Sequence, residues 1–318
     1  MSNMKKTALD RKLDKIRAAE ESGKLGTKLT NRTLRKLTSN KLAVIGVLLF
    51  VAICVLCFGA PLFTEYSATA IDLRAKMSPP DMKHIMGTDQ MGRDVWARIL
   101  YGGRISIIVG LGSALGAALL GVVLGLYVGY KGGLLDSLLI KISDIFQSIP
   151  QMVLIIIIVA LVGQSMENLI IIFIITGWPG MYRMARSKVL SLKQQEFVQA
   201  LRAFGISDVK IAFKHLLPNT LGPVVVNITL STAMFILQEA SLSVLGYGVP
   251  QEIATWGNII NVITNGGTIR FDWLEYWWMW LPCAIMLILF VLSINFIGDG
   301  LRDASDPTQI GQEVRDNG

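Results

Sequence analysis

The stretch "GLGSALGAALLGVVLGLYVGY", residues 110–130, contains no charged residue and no proline in 21 positions. A helix needs about 20 predominantly apolar residues to cross roughly 30 Å of membrane hydrocarbon. Glycines recur in this stretch at intervals of four residues: Gly112 and Gly116, and then Gly121, Gly125 and Gly129. Small residues at that interval let two helices approach closely in lipid. The stretch therefore predicts a transmembrane helix that packs tightly against another helix.

The rest of the chain is also apolar in blocks. Of its 318 residues, 52% are hydrophobic and 17% are charged, whereas soluble domains carry about 25% charged residues. Six stretches approach the length of a membrane span: 42–63, 104–130, 134–163, 167–186, 220–245 and 277–299. We therefore expect an all-α, polytopic membrane protein with six transmembrane helices.

Positive charges are concentrated in two regions, and these predict the orientation. Of the lysines and arginines, 12 precede residue 42 and 7 lie within 183–214. Segments rich in Lys and Arg remain in the cytoplasm, so both termini are expected there, although 64–103 also holds five basic residues. A net charge of +7 distributed in this way indicates a lipid bilayer as the partner and not nucleic acid.

These patterns divide the chain into five parts. The parts are a cytoplasmic N-terminal segment 1–41, a first transmembrane helix 42–63, an extracytoplasmic loop 64–103, a five-helix core 104–300 with a cytoplasmic loop 187–218, and a cytoplasmic tail 301–318. The first apolar block follows a charged lead and is too long for the core of a signal peptide, so no cleaved signal is expected. Within the lead, Leu9, Leu13 and Ile16 share one face of a charged pattern, which predicts a solvated or membrane-surface helix.

The two long external connections carry further local signals. Residues 87–89 and 92–94 are typical of turns, and an amphipathic helix is predicted from Asp94 onward, lying in the membrane interface before the second span. Aromatic residues gather before the last span and indicate the outer interface: Trp273, Tyr276, Trp277, Trp278 and Trp280.

Two groups of potential metal ligands are interpreted as structural. Asp81, His84 and Asp89 are spaced too loosely to predict a metal site. Cys54 and Cys57 have the spacing of a redox or metal pair, but their position within an apolar span favours ordinary packing. No metal site is predicted for this chain.

Polar side chains within the spans are candidates for lining a transport pathway. They are Asp144, Gln147, Asn227, Ser231, Gln238 and Glu239. Glu239 lies near the outer end of its span, and pathway lining and a structural hydrogen bond are both open interpretations for it. Lys141 and Asp144 can pair on one helix face because they are three residues apart, and Pro150 predicts a kink in the third span.

The loop 187–218 contains its own helix signals. Phe197, Leu201 and Phe204 recur on one helix face. Gly205 suits the position directly after a helix, where left-handed φ is favourable for glycine. The pattern predicts a short helix with an apolar face that ends at this glycine.

A second short helix is predicted to follow. Ser207 is a suitable N-cap, and Ile206 and Ile211 can form a hydrophobic staple across it. Pro218 then predicts a change of direction into the fifth span. Two short helices hinged at a glycine, with an exposed apolar face, favour a docking element for a partner protein.

This loop resembles the cytoplasmic coupling loop of ABC importer permeases. The pattern of that family is Glu-Ala-Ala, three residues, Gly, nine residues and Ile-x-Leu-Pro, and it fits residues 199–218 without a gap. Gln, Leu and His replace the first Glu, the second Ala and the Ile of the pattern. The resemblance implies that ATPase subunits dock on Gln199, Ala200, Leu201, Phe204, Gly205, His215, Leu217 and Pro218.

Four further motifs resemble one branch of that family. They are "GTDQMGRDVWARILYGGRIS" (87–106), "EASLSVLGYGVP" (239–250), "TWGNII" (255–260) and "NFIGDGLRDASDP" (295–307). Together they are similar to the dipeptide, oligopeptide and nickel permeases, in the subunit type with the longer N-terminal lead. The resemblance covers residues from about 30 to 307.

The resemblance implies a pathway subunit in a bacterial or archaeal cell membrane. Its expected partners are a second, homologous permease, two ABC ATPase subunits that carry ATP and Mg²⁺, and an extracytoplasmic substrate-binding protein. The chain itself is expected to be no enzyme and to bind no cofactor, since its sequence has no G-x-x-x-x-G-K-[ST] phosphate loop. Peptides are the expected substrate, with nickel or a metal chelate as the alternative. An ion-coupled secondary transporter using Lys141, Asp144 and Glu239 is the rival of a different class.

Overall fold

The structure, a computed structural model, describes residues 38–261 and 274–305. The predictions for the helix containing Leu9, for Trp273 and for residues 306–318 lie outside these ranges. Eleven α-helices are found within the described residues: α1 Lys41–Phe58, α2 Ala60–Phe63, α3 Val95–Lys131, α4 Leu134–Ser148, α5 Gln151–Val162, α6 Met166–Lys193, α7 Glu196–Ala203, α8 Asp208–Lys210, α9 Leu217–Val244, α10 Trp256–Ile260 and α11 Leu281–Ser305.

The glycines of α3 bring this helix against α6. A Cβ atom on Gly121 would lie 2.6 Å from the carbonyl oxygen of Trp178, and one on Gly125 would lie 2.7 Å from the Cβ of Ala185. The predicted close packing is therefore confirmed at these two positions. At Gly112 the prediction of close packing is wrong, because a Cβ atom on this residue would meet no described atom within 4 Å.

Helices α3 and α6 run in the same direction, because Gly116 lies against Ile174 and Gly129 lies against Arg186. The chain between them must therefore return across the bundle, and α4 and α5 make that return. These two helices meet at an angle of 91°. The kink predicted at Pro150 is confirmed, and it is sharp enough to divide the span into two helices.

The first and last described helices are antiparallel neighbours. Asn40 Nδ2 donates to Asp303 Oδ2 over 3.4 Å, and the ring centroids of Phe50 and Phe290 lie 5.6 Å apart. Both ends of the described chain therefore meet at one end of the bundle. We call this the proximal end, and the other the distal end.

Helix α9 runs antiparallel to α3. Ser106 of α3 contacts Glu239 of α9, and Gly110 lies against Ile236 of α9. Residues 196–216, which precede α9, consequently lie at the proximal end.

The order of these helices gives six passes across the bundle within the described residues. Four helical elements are long and apolar enough to cross a membrane, Lys41–Phe58, Val95–Lys131, Asp208–Val244 and Trp277–Ala304, and the bent pair α4–α5 counts as a fifth. The sixth pass is α6, which is less apolar because its second half holds several glycine, arginine and lysine residues. Six transmembrane helices are compatible with this arrangement.

Helix α3 begins where the sequence pattern indicated, at Val95 directly after Asp94. Asp94 is its N-cap and accepts from Ala97 N over 2.7 Å, and the helix continues without a break to Lys131. The predicted helix start is therefore confirmed, and the amphipathic run is the first part of the helix that forms the second span. The turns predicted just upstream are confirmed by positive φ angles at Gly87 and Gly92.

Each of the three residues weighed as metal ligands is engaged in hydrogen bonds within the loop before α3. His84 Nδ1 lies 2.8 Å from Asp94 Oδ2, and Arg93 Nε donates to Asp89 Oδ2 over 2.7 Å. Asp81 accepts from the backbone N–H of His84, and this hydrogen bond lowers the pKa of the Asp81 carboxyl. These contacts fix the loop that leads into α3.

Pro218 does not redirect the chain, and that prediction is wrong. Asp208–Val244 is a nearly continuous helical element with a π-helical turn at Ile211–Leu216, and Pro218 lies in the first turn of α9. A proline ring clashes with the carbonyl four residues earlier, and the wider π turn accommodates it. Asn219 Nδ2 donates to the His215 carbonyl over 2.8 Å, which satisfies an acceptor in this turn.

Candidate functional site

Helix α7 ends in a Schellman motif centred on Gly205. The φ angle of Gly205 is +71°. Its N–H donates to Arg202 O over 2.9 Å, and the N–H of Ile206 donates to Leu201 O over 3.2 Å. The predicted left-handed glycine is confirmed, and the two hydrogen bonds fix the angle at which the chain leaves α7. Ser207 is the N-cap of α8 by position, but in the described structure its side chain makes no capping hydrogen bond.

The outer surface of the 196–216 segment carries three exposed apolar residues among charged and polar ones. Phe204 is 82% exposed, Val209 is 53% exposed and Phe197 is 39% exposed. Leu201 faces the other way and packs with Ile206 against the buried core. The predicted single face of Phe197, Leu201 and Phe204 therefore divides into an exposed aromatic pair and an inward-facing leucine.

The remaining residues predicted for docking occupy the same end of the bundle. Gln199, Ala200 and Pro218 are exposed, whereas His215 and Leu217 are half-buried. These five residues extend from α7 to the first turn of α9, so the structure does not bring all of them into one compact patch.

The inner surface of the 196–216 segment is buried against the proximal end of α3. The apolar residues of this contact share one core cluster: Val198, Ile211 and Leu216 of the segment, and Val122, Leu126 and Tyr130 of α3. Tyr130 also accepts two cationic donors. Arg202 Nε donates to Tyr130 Oη over 2.7 Å, and Lys193 Nζ donates to Tyr130 O over 2.7 Å. Sequence analysis did not single out Tyr130, since a tyrosine at the end of a span is an ordinary interfacial residue.

Helix α4 is attached to α6 by a bidentate ion pair near the proximal end. Arg186 Nε and Nη2 donate to Asp136 Oδ1 and Oδ2, each over 2.6 Å. Tyr182 Oη also donates to Asp136 Oδ1, over 2.8 Å. Asp136 is buried, so its charge is compensated by three donors where water is scarce.

Asp144 makes a second attachment between the same two helices. It pairs with Arg183 of α6, and Arg183 Nε also donates to Ser143 Oγ over 2.9 Å. The predicted pairing of Asp144 with Lys141 is therefore wrong, because a partner from another helix occupies the carboxylate. Asp144 and Gln147 are both exposed in the single chain.

Asn227, Ser231 and Gln238 lie on one face of α9, because they are separated by four and seven residues. All three are half-buried. Gln238 Nε2 donates to Gln151 Oε1 in the first turn of α5 over 3.1 Å, and among the described atoms Gln238 Oε1 is buried without a partner. Three of the six pathway candidates thus share one face of α9, and Gln238 at its distal end contacts the residue directly after Pro150.

Glu239 points about 100° around α9 from that face and is fully buried. Ser106 Oγ donates to Glu239 Oε2 over 3.2 Å, and Ser243 Oγ donates to Glu239 Oε1 over 2.9 Å. Ser106 Oγ in turn accepts from Trp256 N over 3.1 Å. Of the two open interpretations, this network favours a structural hydrogen bond that joins α3, α9 and α10.

Comparison with known proteins places this helical bundle in a family. Residues 121–310 match the model described as the inner membrane component of binding-protein-dependent transport systems. The chain belongs to that family. Residues 28–80 of this permease also match the N-terminal transmembrane domain of oligopeptide transport permease C.

Named relatives align with this permease over most of its length. It is 34% identical to the oligopeptide transport system permease protein OppC of Bacillus subtilis, over 96% of this chain and 99% of the relative. It is 35% identical to the dipeptide transport system permease protein DppC of the same organism, over 92% of this chain and 90% of the relative. A chain of the MetNI methionine ABC transporter, solved in inward-facing conformations, shares the fold with a TM-score of 0.51 and 22% identity, covering 65% of this permease and 96% of that chain.

Proposed function

We propose that this permease is the pathway subunit of an ATP-driven importer of oligopeptides or dipeptides. The observation that carries the proposal is the 196–216 segment, which exposes Phe197, Phe204 and Val209 on the two short helices and at the turn that Gly205 fixes between them. Exposed apolar groups on a fixed turn are suited to a partner protein. The names of the relatives, which transport oligopeptides and dipeptides, support the substrate class.

Two ABC ATPase subunits would supply the energy, with ATP and Mg²⁺ bound to them and not to this chain. One of them would bind the outer surface of the 196–216 segment, and an extracytoplasmic binding protein would deliver the peptide. The proximal end would then face the cytoplasm, with both termini. ATP binding can change the conformation of the permease only as far as it favours one state over the other.

A second permease subunit would complete the pathway. The break between α4 and α5 leaves Gln147, Ser148, Ile149 and Pro150 exposed at the point where the chain crosses the bundle. Irregular backbone at membrane depth is tolerated only where it is buried in protein or lines a water-filled cavity. We therefore place the break, together with Asn227, Ser231 and Gln238, at the interface with the second permease, along the transport pathway.

The complete complex, reconstituted in vesicles with its binding protein, tests the proposal. We expect ATP-dependent uptake of short peptides, which requires the ATPase and the binding protein. Uptake of nickel or a metal chelate in place of peptides would overturn the substrate class while retaining the permease role. Uptake driven by an ion gradient, without ATP or an ATPase subunit, would overturn the importer class itself.

A further inference from the structure

Tyr130 is enclosed between α3 and the 196–216 segment, with none of its side chain exposed. Two cations approach its ring from different elements. The Arg202 Cζ atom lies 4.9 Å from the ring centroid, and the Lys193 Nζ atom lies 5.5 Å from it. The same cations donate to Tyr130 Oη and to Tyr130 O, as described above. One residue of α3 is thus bound by the end of α6 and by α7.

The 196–216 segment is connected to the bundle in two ways, one before Gly205 and one after it. Arg202 lies before Gly205, on α7, and contacts α3 through Tyr130. The residues after Gly205 continue directly into α9 through the π turn. Displacement of the 196–216 segment therefore has two ways to reach the bundle: along the chain into α9, and across the Tyr130 contact into α3.

Helix α3 is well placed to carry such a displacement to the distal end. It is a single helix of 37 residues. Because Gly121 and Gly125 lie in close contact with α6, we expect these two helices to move together. Toward its distal end, Ser106 is bonded to Glu239 of α9 and to Trp256 of α10. A rotation imposed at Tyr130 would therefore reach the external loops.

We propose that Tyr130 is a positioning residue that transmits the movement of the ATPase-bound segment to α3. The inference rests on the proposed function, since it presupposes that an ATPase displaces residues 196–216. It assigns a coupling role to the Tyr130 hydroxyl and to Arg202, neither of which need touch the ATPase or the transported molecule for this role.

The chain offers a matched control one turn earlier on the same helix. Tyr127 also lies near a cation, with Lys131 Nζ 5.9 Å from its ring centroid. Lys131 belongs to α3 itself, so this pair does not connect α3 to the 196–216 segment. Removal of the Tyr127 hydroxyl tests for a general effect of the substitution at this end of the helix.

The experiment compares Tyr130→Phe with Tyr127→Phe in the complete complex reconstituted in vesicles, and it measures the ATP hydrolysed for each peptide imported. We expect Tyr130→Phe to raise this ratio about tenfold, the factor that corresponds to one hydrogen bond to a charged group. Arg202→Gln should raise it at least as much, because it also removes the contact of the guanidinium with the Tyr130 ring. The double variant should be no worse than Arg202→Gln alone, because the hydrogen bond is already absent in that variant. The amount of ATPase that copurifies should stay at the wild-type level in all variants.

Two results would overturn the inference without touching the proposed function. The first is that Tyr130→Phe hydrolyses the same amount of ATP for each imported peptide as the wild type and Tyr127→Phe, in a complex whose wild-type form couples ATP hydrolysis to uptake. The other is a double variant whose effect is the sum of the two single effects. If the wild-type complex shows no ATP-dependent peptide uptake, the proposed function fails and the inference fails with it.

Discussion

The Gln238 side chain donates to Gln151 Oε1 over 3.1 Å and thereby joins α9 to the first turn of α5, directly after the break at Pro150. Gln238 Oε1 remains buried without a partner among the described atoms. A polar contact of this kind can hold two helices in one arrangement and can be exchanged for another partner in a second arrangement. The predictions below begin with this contact.

Replacement of Gln238 by leucine should weaken the hold of α9 on α5. The neutral hydrogen bond contributes about 1 kcal/mol. We therefore expect about a fivefold change in the equilibrium constant between the arrangement in which α9 contacts α5 and any arrangement in which it does not. The readouts are peptide uptake and the basal ATP hydrolysis of the reconstituted complex. Gln164→Leu is the control, because Gln164 Nε2 donates to Gly246 O over 2.6 Å, just past the end of α9 and away from the break. Equal effects of both variants would contradict a special role of the Gln238 contact.

Phe204→Ala should weaken the binding of the ATPase subunits. Phe204 is 82% exposed, and full burial of a phenylalanine side chain contributes about 1.5–3 kcal/mol. We expect at least a tenfold loss of affinity, measured by titrating purified ATPase onto the permease in detergent, with no change in the unfolding temperature of the permease. The control is Phe63→Ala, since Phe63 is also exposed but lies at the distal end. Unchanged ATPase affinity in Phe204→Ala would argue against docking on this surface.

Gly205→Ala should strain the turn after α7. A left-handed conformation costs a residue with a Cβ atom roughly 1–2 kcal/mol, and Gly205 has φ +71°. We expect a lower unfolding temperature and reduced peptide uptake. Gly180→Ala in α6 is the control: a Cβ atom there meets no described neighbour within 4 Å, so this change should be neutral or stabilise the helix by about 0.5–1 kcal/mol. A Gly205→Ala permease as stable and active as wild type would mean that the turn is not fixed.

Asp136→Asn should destabilise the attachment of α4 to α6. Asp136 is buried and accepts from both Arg186 and Tyr182, and the loss of a hydrogen bond to a charged group costs about 2 kcal/mol. Asp144→Asn should have a much smaller effect, since both side chains of the Asp144–Arg183 pair are largely exposed and exposed ion pairs contribute about 0–1 kcal/mol. Chemical denaturation of the purified permease measures both variants. The reverse order of effects would contradict the assignment of Asp136 as the main attachment.

Local sequence signals predicted those features that depend on neighbouring residues. The left-handed glycine after α7 and the break at Pro150 each follow from the conformational preference of a single residue type. The close contact of Gly121 and Gly125 with another helix follows from a short repeat. For these features, the structure and the sequence pattern agree.

Features that depend on distant residues could not be predicted in the same way. Asp144 had a possible partner three residues away, but Arg183 of α6 is its partner in the folded chain. Pro218 is a helix breaker by itself, yet the π turn before it lets the helix continue. The role of Tyr130 depends on two cations that lie 63 and 72 residues away.

The most direct test of the account is a photoreactive residue placed at position 204 of the assembled complex, in sealed vesicles with the cytoplasmic face outward. We predict a cross-link to the ATPase subunit whose yield changes on addition of ATP, whereas the same probe at position 63 gives no such product. Two results would contradict the account. One is a probe at position 204 that cross-links only to proteins on the other side of the membrane. The other is a probe at 204 that never reacts with the ATPase in a complex that is active in uptake.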